Sequence, residues 1–190
     1  EVTMSNKHFL SAALAAVLLP LQAVASNFLV STEWLEKNLA DKSIRVVEVS
    51  VDPGQFERGH IPGAVNFQWH SDLVDPVQRD IASQGNFEKL LRGAGINNDT
   101  TVILYGDNNN WFAAWGAWVF DVYGVENVKL LDGGRKKWEA EGRPLSAKAA
   151  SYKLGNISVK AANKDLRAYL PDVVEVAKLA GKNPSTQLVD

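Results

Sequence analysis

The chain has 190 residues, 46% of them hydrophobic and 22% charged, and a formal net charge of −2. These values fit a folded domain with an ordinary core, and they exclude a basic nucleic-acid-binding protein. There is no cysteine, which excludes disulfides and thiol catalysis within these residues; His8, His60 and His70 are too few and too scattered for a zinc site.

At the N-terminus Lys7 precedes the apolar run FLSAALAAVLLPL, and residues 23–25 read AVA. This pattern predicts an export signal over residues 1–25, cleaved after Ala25, and therefore a periplasmic or secreted protein free of the membrane after cleavage. Pro20 closes the run before it reaches the roughly 20 apolar residues of a spanning helix.

From there, strand and helix patterns alternate. STEWLEKNLA (31–40) sets Trp34, Leu35 and Leu39 at helical spacing behind Ser31 or Thr32 as N-cap. IRVVEVS (44–50) is β-branched and strand-like. DPGQFERGHIPGA (52–64) carries the Pro and Gly of turns, and AVNF (64–67) is a short strand. NFEKLLRGAGI (86–96) predicts a helix closed by Gly93 or Gly95. TTVILY (100–105) is the most apolar strand. An aromatic-rich helix follows over 111–123, ended by Gly124. Its Trp111, Phe112, Trp115 and Trp118 form a stripe that suits core and interface. NVKLL (127–131) is a strand, and GGRKKWEAEG (133–142) a short helix ended by Gly142. Such alternation with short links predicts an α/β domain over residues 26–145, with a central, mainly parallel sheet and helices on both faces.

Residues 146–164 are rich in Ala, Ser and Lys and lack a helical stripe, so they are expected to be an extended interdomain linker. A repeat then begins. YLPDVVEVAKLAGKNPSTQLVD echoes LVSTEWLEKNLADKSIRVVE: Tyr169 aligns with Leu29, Val174 with Trp34, Leu179 with Leu39, and Leu188 and Val189 with Val46 and Val47. Residues 165–190 are thus expected to be the start of a second, incomplete copy.

Three stretches carry the chemistry: FERGHIPGAVNF, VILYGDNNNWFAAWGAWVFDVYG and VKLLDGGRKKWEAEGRPL. Together they resemble the rhodanese (thiosulfate sulfurtransferase) family over residues 28–145, and the repeat is similar to its tandem members. The resemblance implies a catalytic cysteine at the first position of the loop after the central strand. That thiolate takes a sulfane sulfur from thiosulfate and passes it to cyanide or a thiol. Loop amides and the following helix N-terminus favour the thiolate. Here the position after Tyr105 is Gly106, which has no side chain, and Asp107 puts a negative charge where an anionic substrate needs a positive one. The carboxylate is expected to cap its own turn and stabilise the helix by about 0.3–1 kcal/mol. Asn108, Asn109 and Asn110 offer turn and cap geometry, and Trp111 is the aromatic placed to line a cleft.

The loop of residues 106–111 therefore reads as vestigial. The resemblance implies that this unit is the inactive half, that its partner is a second rhodanese domain of the same chain bearing the cysteine, and that the full-length protein acts on small anionic sulfur compounds. Neither a metal nor a cofactor is expected. Arg58 and His60 are possible cleft residues, though the turn explains both; Arg135 is another, though a solvated helix start suits it better. Two alternatives stand beside this reading. One is a non-catalytic binding or scaffold module. The other is an Asp107-nucleophile, Mg²⁺-dependent phosphatase, since Asp107 after a buried strand resembles the Asp-x-Asp turn of haloacid-dehalogenase-type enzymes.

Overall fold

The structure, a computed structural model, describes residues 28–179 and 186–189. The expected export signal lies outside the described residues, as does part of the expected repeat.

Five parallel strands form the sheet: β1 (Leu29–Val30), β2 (Ile44–Ser50), β3 (Val65–Gln68), β4 (Thr101–Gly106) and β5 (Val128–Leu131), in the order β1-β5-β4-β2-β3. β2 and β4 lie side by side, and all seven residues of β2 are buried. Period-two alternation splits their side chains between two cores. Val47, Val49, Val102 and Leu104 face the helices α3 (Gln84–Gly93) and α4 (Trp111–Val122). Ile44, Val46, Ile103 and Tyr105 face Leu35 of α1 (Thr32–Asn38) and Trp138 of α5 (Gly134–Ala140). The α/β arrangement with helices on both faces is the one the sequence pattern implies.

Local signals mostly set the element ends. Ser31 accepts from Trp34 N and caps α1, and Ser83 accepts from Asn86 N and caps α3. α3 includes Gly93; Gly95, at φ 71°, makes the turn that ends it. The turn-rich stretch before β3 holds a one-turn helix, α2 (Gln55–Arg58), and a π-helical turn covers Trp69–Leu73.

Residues 146–163 carry no helix, and they lie on the first unit as a strap. Ser146 pairs with His60. Gly155 N donates to Arg92 O (2.8 Å), Lys160 N to Tyr123 O (2.9 Å) and Asn163 N to Val122 O (2.8 Å). Ile157 and Val159 enter the α3–α4 core while Ser158 between them stays exposed. The next helix, α6 (Leu170–Lys178), buries none of its residues. Leu188 and Val189, expected to begin a second strand, are exposed and carry no regular structure.

Candidate functional site

The loop that follows β4 opens at the C-terminal ends of the parallel strands. Gly106 still belongs to β4, opposite Val49. A Cβ there would stand 2.6 Å from Val49 O, so only glycine fits this register. Gly106, the position that the resemblance gives to the family thiol, is thus the last residue of β4, and Asp107 is the first residue beyond the strand.

Asp107 does not cap its own turn, contrary to expectation. Its Oδ2 accepts hydrogen bonds from Val51 N (3.1 Å) and Asp52 N (3.0 Å), in the turn that leaves β2. The carboxylate thus ties two adjacent loops together, and it is buried in doing so. Asn108, Asn109 and Asn110 all adopt the left-handed conformation, with φ of 48°, 55° and 66°. Asparagine tolerates that region better than other residues with a Cβ, which gives the Asn triplet its reason. Asn110 is the buried member. Its Oδ1 accepts from Gly106 N (3.0 Å) and its Nδ2 donates to Leu131 O (2.6 Å), so it spans β4 and β5. Trp111 follows with 76% of its surface exposed at the loop's edge.

Beneath the loop lies a buried polar cluster. The Tyr105 hydroxyl donates to Glu48 Oε2 and accepts from Ile61 N (3.0 Å). Arg135 Nη1 donates to both Glu48 oxygens (2.8 and 2.9 Å), Nη2 to Gly59 O, and Nε to Glu139 Oε1 (2.9 Å). These contacts fasten β2, β4, α5 and the GHIPG turn to one another. Burial pushes the Glu48 carboxyl up; Tyr105 and Arg135 pull it back in part, and the nearby Asp107 charge pushes it further up. Burial, with the Glu48 charge alongside, holds the Tyr105 phenol well above its usual 10.

The Tyr105 shift sets an alkaline limit. The unfolded chain releases the phenol proton near its ordinary pKa of about 10, while the folded chain keeps it. The contribution is complete below that pH and is lost as pH rises further, at up to about 1.4 kcal/mol per pH unit. Urea midpoints measured between about pH 9 and about pH 11 should fall more steeply for the wild type than for Tyr105→Phe.

The three suspected cleft residues do not converge. Arg58 is exposed and reaches only Pro53 O, at 3.5 Å. His60 is buried, stacks on Phe56 at 3.8 Å, and has Phe56 O (2.8 Å) and Lys148 O (3.2 Å) beside its ring nitrogens. Arg135 is neither a cleft residue nor a solvated helix start. It is 5% exposed, because Glu48 at the centre of the sheet requires a cation. Sequence reasoning missed Glu48 and Tyr105, although a lone acid inside the apolar run IRVVEVS was a usable signal. Among the described residues, no three His, Asp or Glu side chains gather as a metal site would require.

This geometry agrees with the comparisons. The model of the rhodanese-like domain family matches residues 31–141. The chain is 48% identical over 147 residues to the sulfur carrier protein TtuD of Thermus thermophilus, covering 77% of this chain and 52% of that protein. It is 48% identical over 158 residues to a putative thiosulfate sulfurtransferase of Mycolicibacterium smegmatis, covering 83% and 56%. The chain thus spans about half the length of these relatives. Among solved structures, SseA from Escherichia coli, described with the 3-mercaptopyruvate sulfotransferases, superposes with a TM-score of 0.71 at 26% identity over 80% of this chain and 62% of its own. Tum1 from Saccharomyces cerevisiae, at 18% identity and a TM-score of 0.65 over 80% of this chain and 56% of its own, shares the fold. With β2 to β5, the GHIPGA turn and the loop after β4 all inside the matched span, this chain belongs to the rhodanese family.

Proposed function

We propose that the described unit is the non-catalytic half of an exported, rhodanese-type sulfurtransferase. The full-length protein moves a sulfane sulfur from thiosulfate or a similar donor to cyanide or a thiol. The reaction runs through a cysteine of a second rhodanese unit: the thiolate attacks the outer sulfur, the S–S bond breaks, and sulfite leaves with the electron pair. The acceptor then takes the sulfur from the persulfide and regenerates the thiolate. The first unit contributes a wall of the cleft, through the loop of residues 106–111 and the exposed Trp111.

One observation carries this reading. Gly106, at the position that the resemblance gives to the thiol, has no side chain, and Asp107 beside it has a carboxylate occupied with Val51 N and Asp52 N. A carboxylate there repels a thiosulfate dianion and supplies no sulfur nucleophile. The relatives named for sulfur transfer or sulfur carriage are about twice the matched length, which supports a second unit. The apolar residues that α6 leaves exposed, Leu170, Val173 and Val174, support a covering partner. Export rests on the N-terminal run alone.

The test is direct. Residues 26–190, incubated with thiosulfate and cyanide, should form no thiocyanate above the uncatalysed background. Turnover at micromolar protein that disappears in Asp107→Ala would overturn the proposal.

A further inference from the structure

The opposite end of the sheet holds a charge that sulfur transfer does not use. Arg45 is the second residue of β2, far along the strand from the Asp107 loop. It is 8% exposed. A guanidinium buried to that degree ordinarily meets a carboxylate. Arg45 takes part in none of the ion pairs found among the described residues. Its Nε is buried without a hydrogen-bond partner. Its Nη2 reaches Gly95 O only at 3.5 Å, and its Cζ lies 3.1 Å from the centroid of the Tyr152 ring. Burial pulls the Arg45 guanidinium down and Tyr152 offsets part of that cost, while no carboxylate among the described residues pairs with the charge.

The surroundings are cationic too. Arg45 lines a cavity of about 420 Å³ between the turn after α1, the GHIPG turn, the end of α3 and the strap. Lys42 and Lys153 also line it, both exposed and neither in an ion pair among the described residues. The one carboxylate in the lining, Asp41, accepts from Ser43 N (2.8 Å) and Ser43 Oγ (2.7 Å). Three cations thus face a single acid that is already engaged.

We propose that this cavity binds a small dianionic oxoanion, free or carried on a small molecule, with Arg45 at its floor and Lys42 and Lys153 at its rim. An anion there supplies the counter-charge that the fold leaves out, and a guanidinium edge matches the spacing of two oxoanion oxygens. Two uncompensated positive charges favour a dianion over a monoanion. The site is independent of Asp107 and of any second unit. Because Tyr152 belongs to the strap, occupancy also fastens the strap to β2.

The experiment titrates the chain with inorganic phosphate, thiosulfate and acetate separately at low ionic strength, following amide shifts and heats. Phosphate and thiosulfate should saturate and shift Gly95, Asn97 and Lys153, with acetate at least about tenfold weaker. A phosphate monoester that binds more tightly than phosphate assigns the carried form; equal affinity assigns the free one. Arg45→Gln should weaken phosphate binding by about tenfold or more. If Arg45→Gln fails to fold, the double variant Lys42→Gln/Lys153→Gln decides, since both side chains are exposed; it should weaken binding several-fold. Absence of saturable phosphate or thiosulfate binding, equal affinity for acetate, or unchanged affinity in the double variant would each overturn the proposal.

Discussion

Arg135→Met should destabilise the domain by about 3–5 kcal/mol, read as a drop in the urea midpoint with an unchanged slope. Glu48 is fully buried and Arg135 is its ion-pair partner. Removing the cation leaves a carboxylate in the centre of the sheet with only the Tyr105 hydroxyl to stabilise it. It also strips the donor from Gly59 O, which holds the GHIPG turn in place. Typical domains have only about 5–15 kcal/mol in total, so the loss is a large share. Arg135→Lys should not rescue it, because one ammonium cannot reach Glu48, Glu139 and Gly59 from a single position. The double variant Arg135→Met/Glu48→Gln should recover much of the loss, since no uncompensated charge then stays buried. A loss under about 1 kcal/mol in Arg135→Met would mean that Glu48 is carried neutral at no cost.

Gly155→Ala should undock the strap. A Cβ at Gly155 would collide with Ile96 O and stand 2.6 Å from Ile96 C and 2.7 Å from Ile96 N. These are backbone atoms of the buried Ile96, in the turn that follows α3, and they have no rotamer with which to give way. Relief requires the strap to lift, which withdraws Ile157 and Val159 from the core and breaks the bond from Gly155 N to Arg92 O. Losing two buried aliphatic side chains costs about 3 kcal/mol or more. Hydrogen exchange should rise at Ile157, Lys160 and Asn163 while β2 and β4 stay protected. Unchanged protection at those three amides would show that the strap and α3 can separate slightly without loss.

The strands, the helices flanking them and the parallel layout were legible because their signals are local: apolar runs, Ser caps and glycine ends. What the sequence hid depends on which strands lie side by side. Glu48 and Arg135 are 87 residues apart, and only the placement of β2 beside β4, with α5 packed on that face, brings them together. Arg135 stands next to Lys136 and Lys137, so nothing local marks it as the buried cation of the three. Asp107 was legible as a misplaced acid, but its partners were not. Val51 and Asp52 belong to a turn that reaches it only through the β2–β4 pairing. The strand was expected to end at Tyr105, with Gly106 as the first loop residue; Gly106 instead pairs in register with Val49, whose carbonyl oxygen leaves no room for a Cβ. The two-residue β1 and the π-helical turn Trp69–Leu73 had no period long enough to read.

The strap has a consequence for biosynthesis. The residues that match the family end at 141, yet the groove beside α3 is roofed by Ile157 and Val159 and latched at Asn163. A polypeptide that emerges N-terminus first can assemble its sheet before that roof arrives, with the groove open to water. Closure of the unit therefore waits on about twenty residues beyond the segment that defines it.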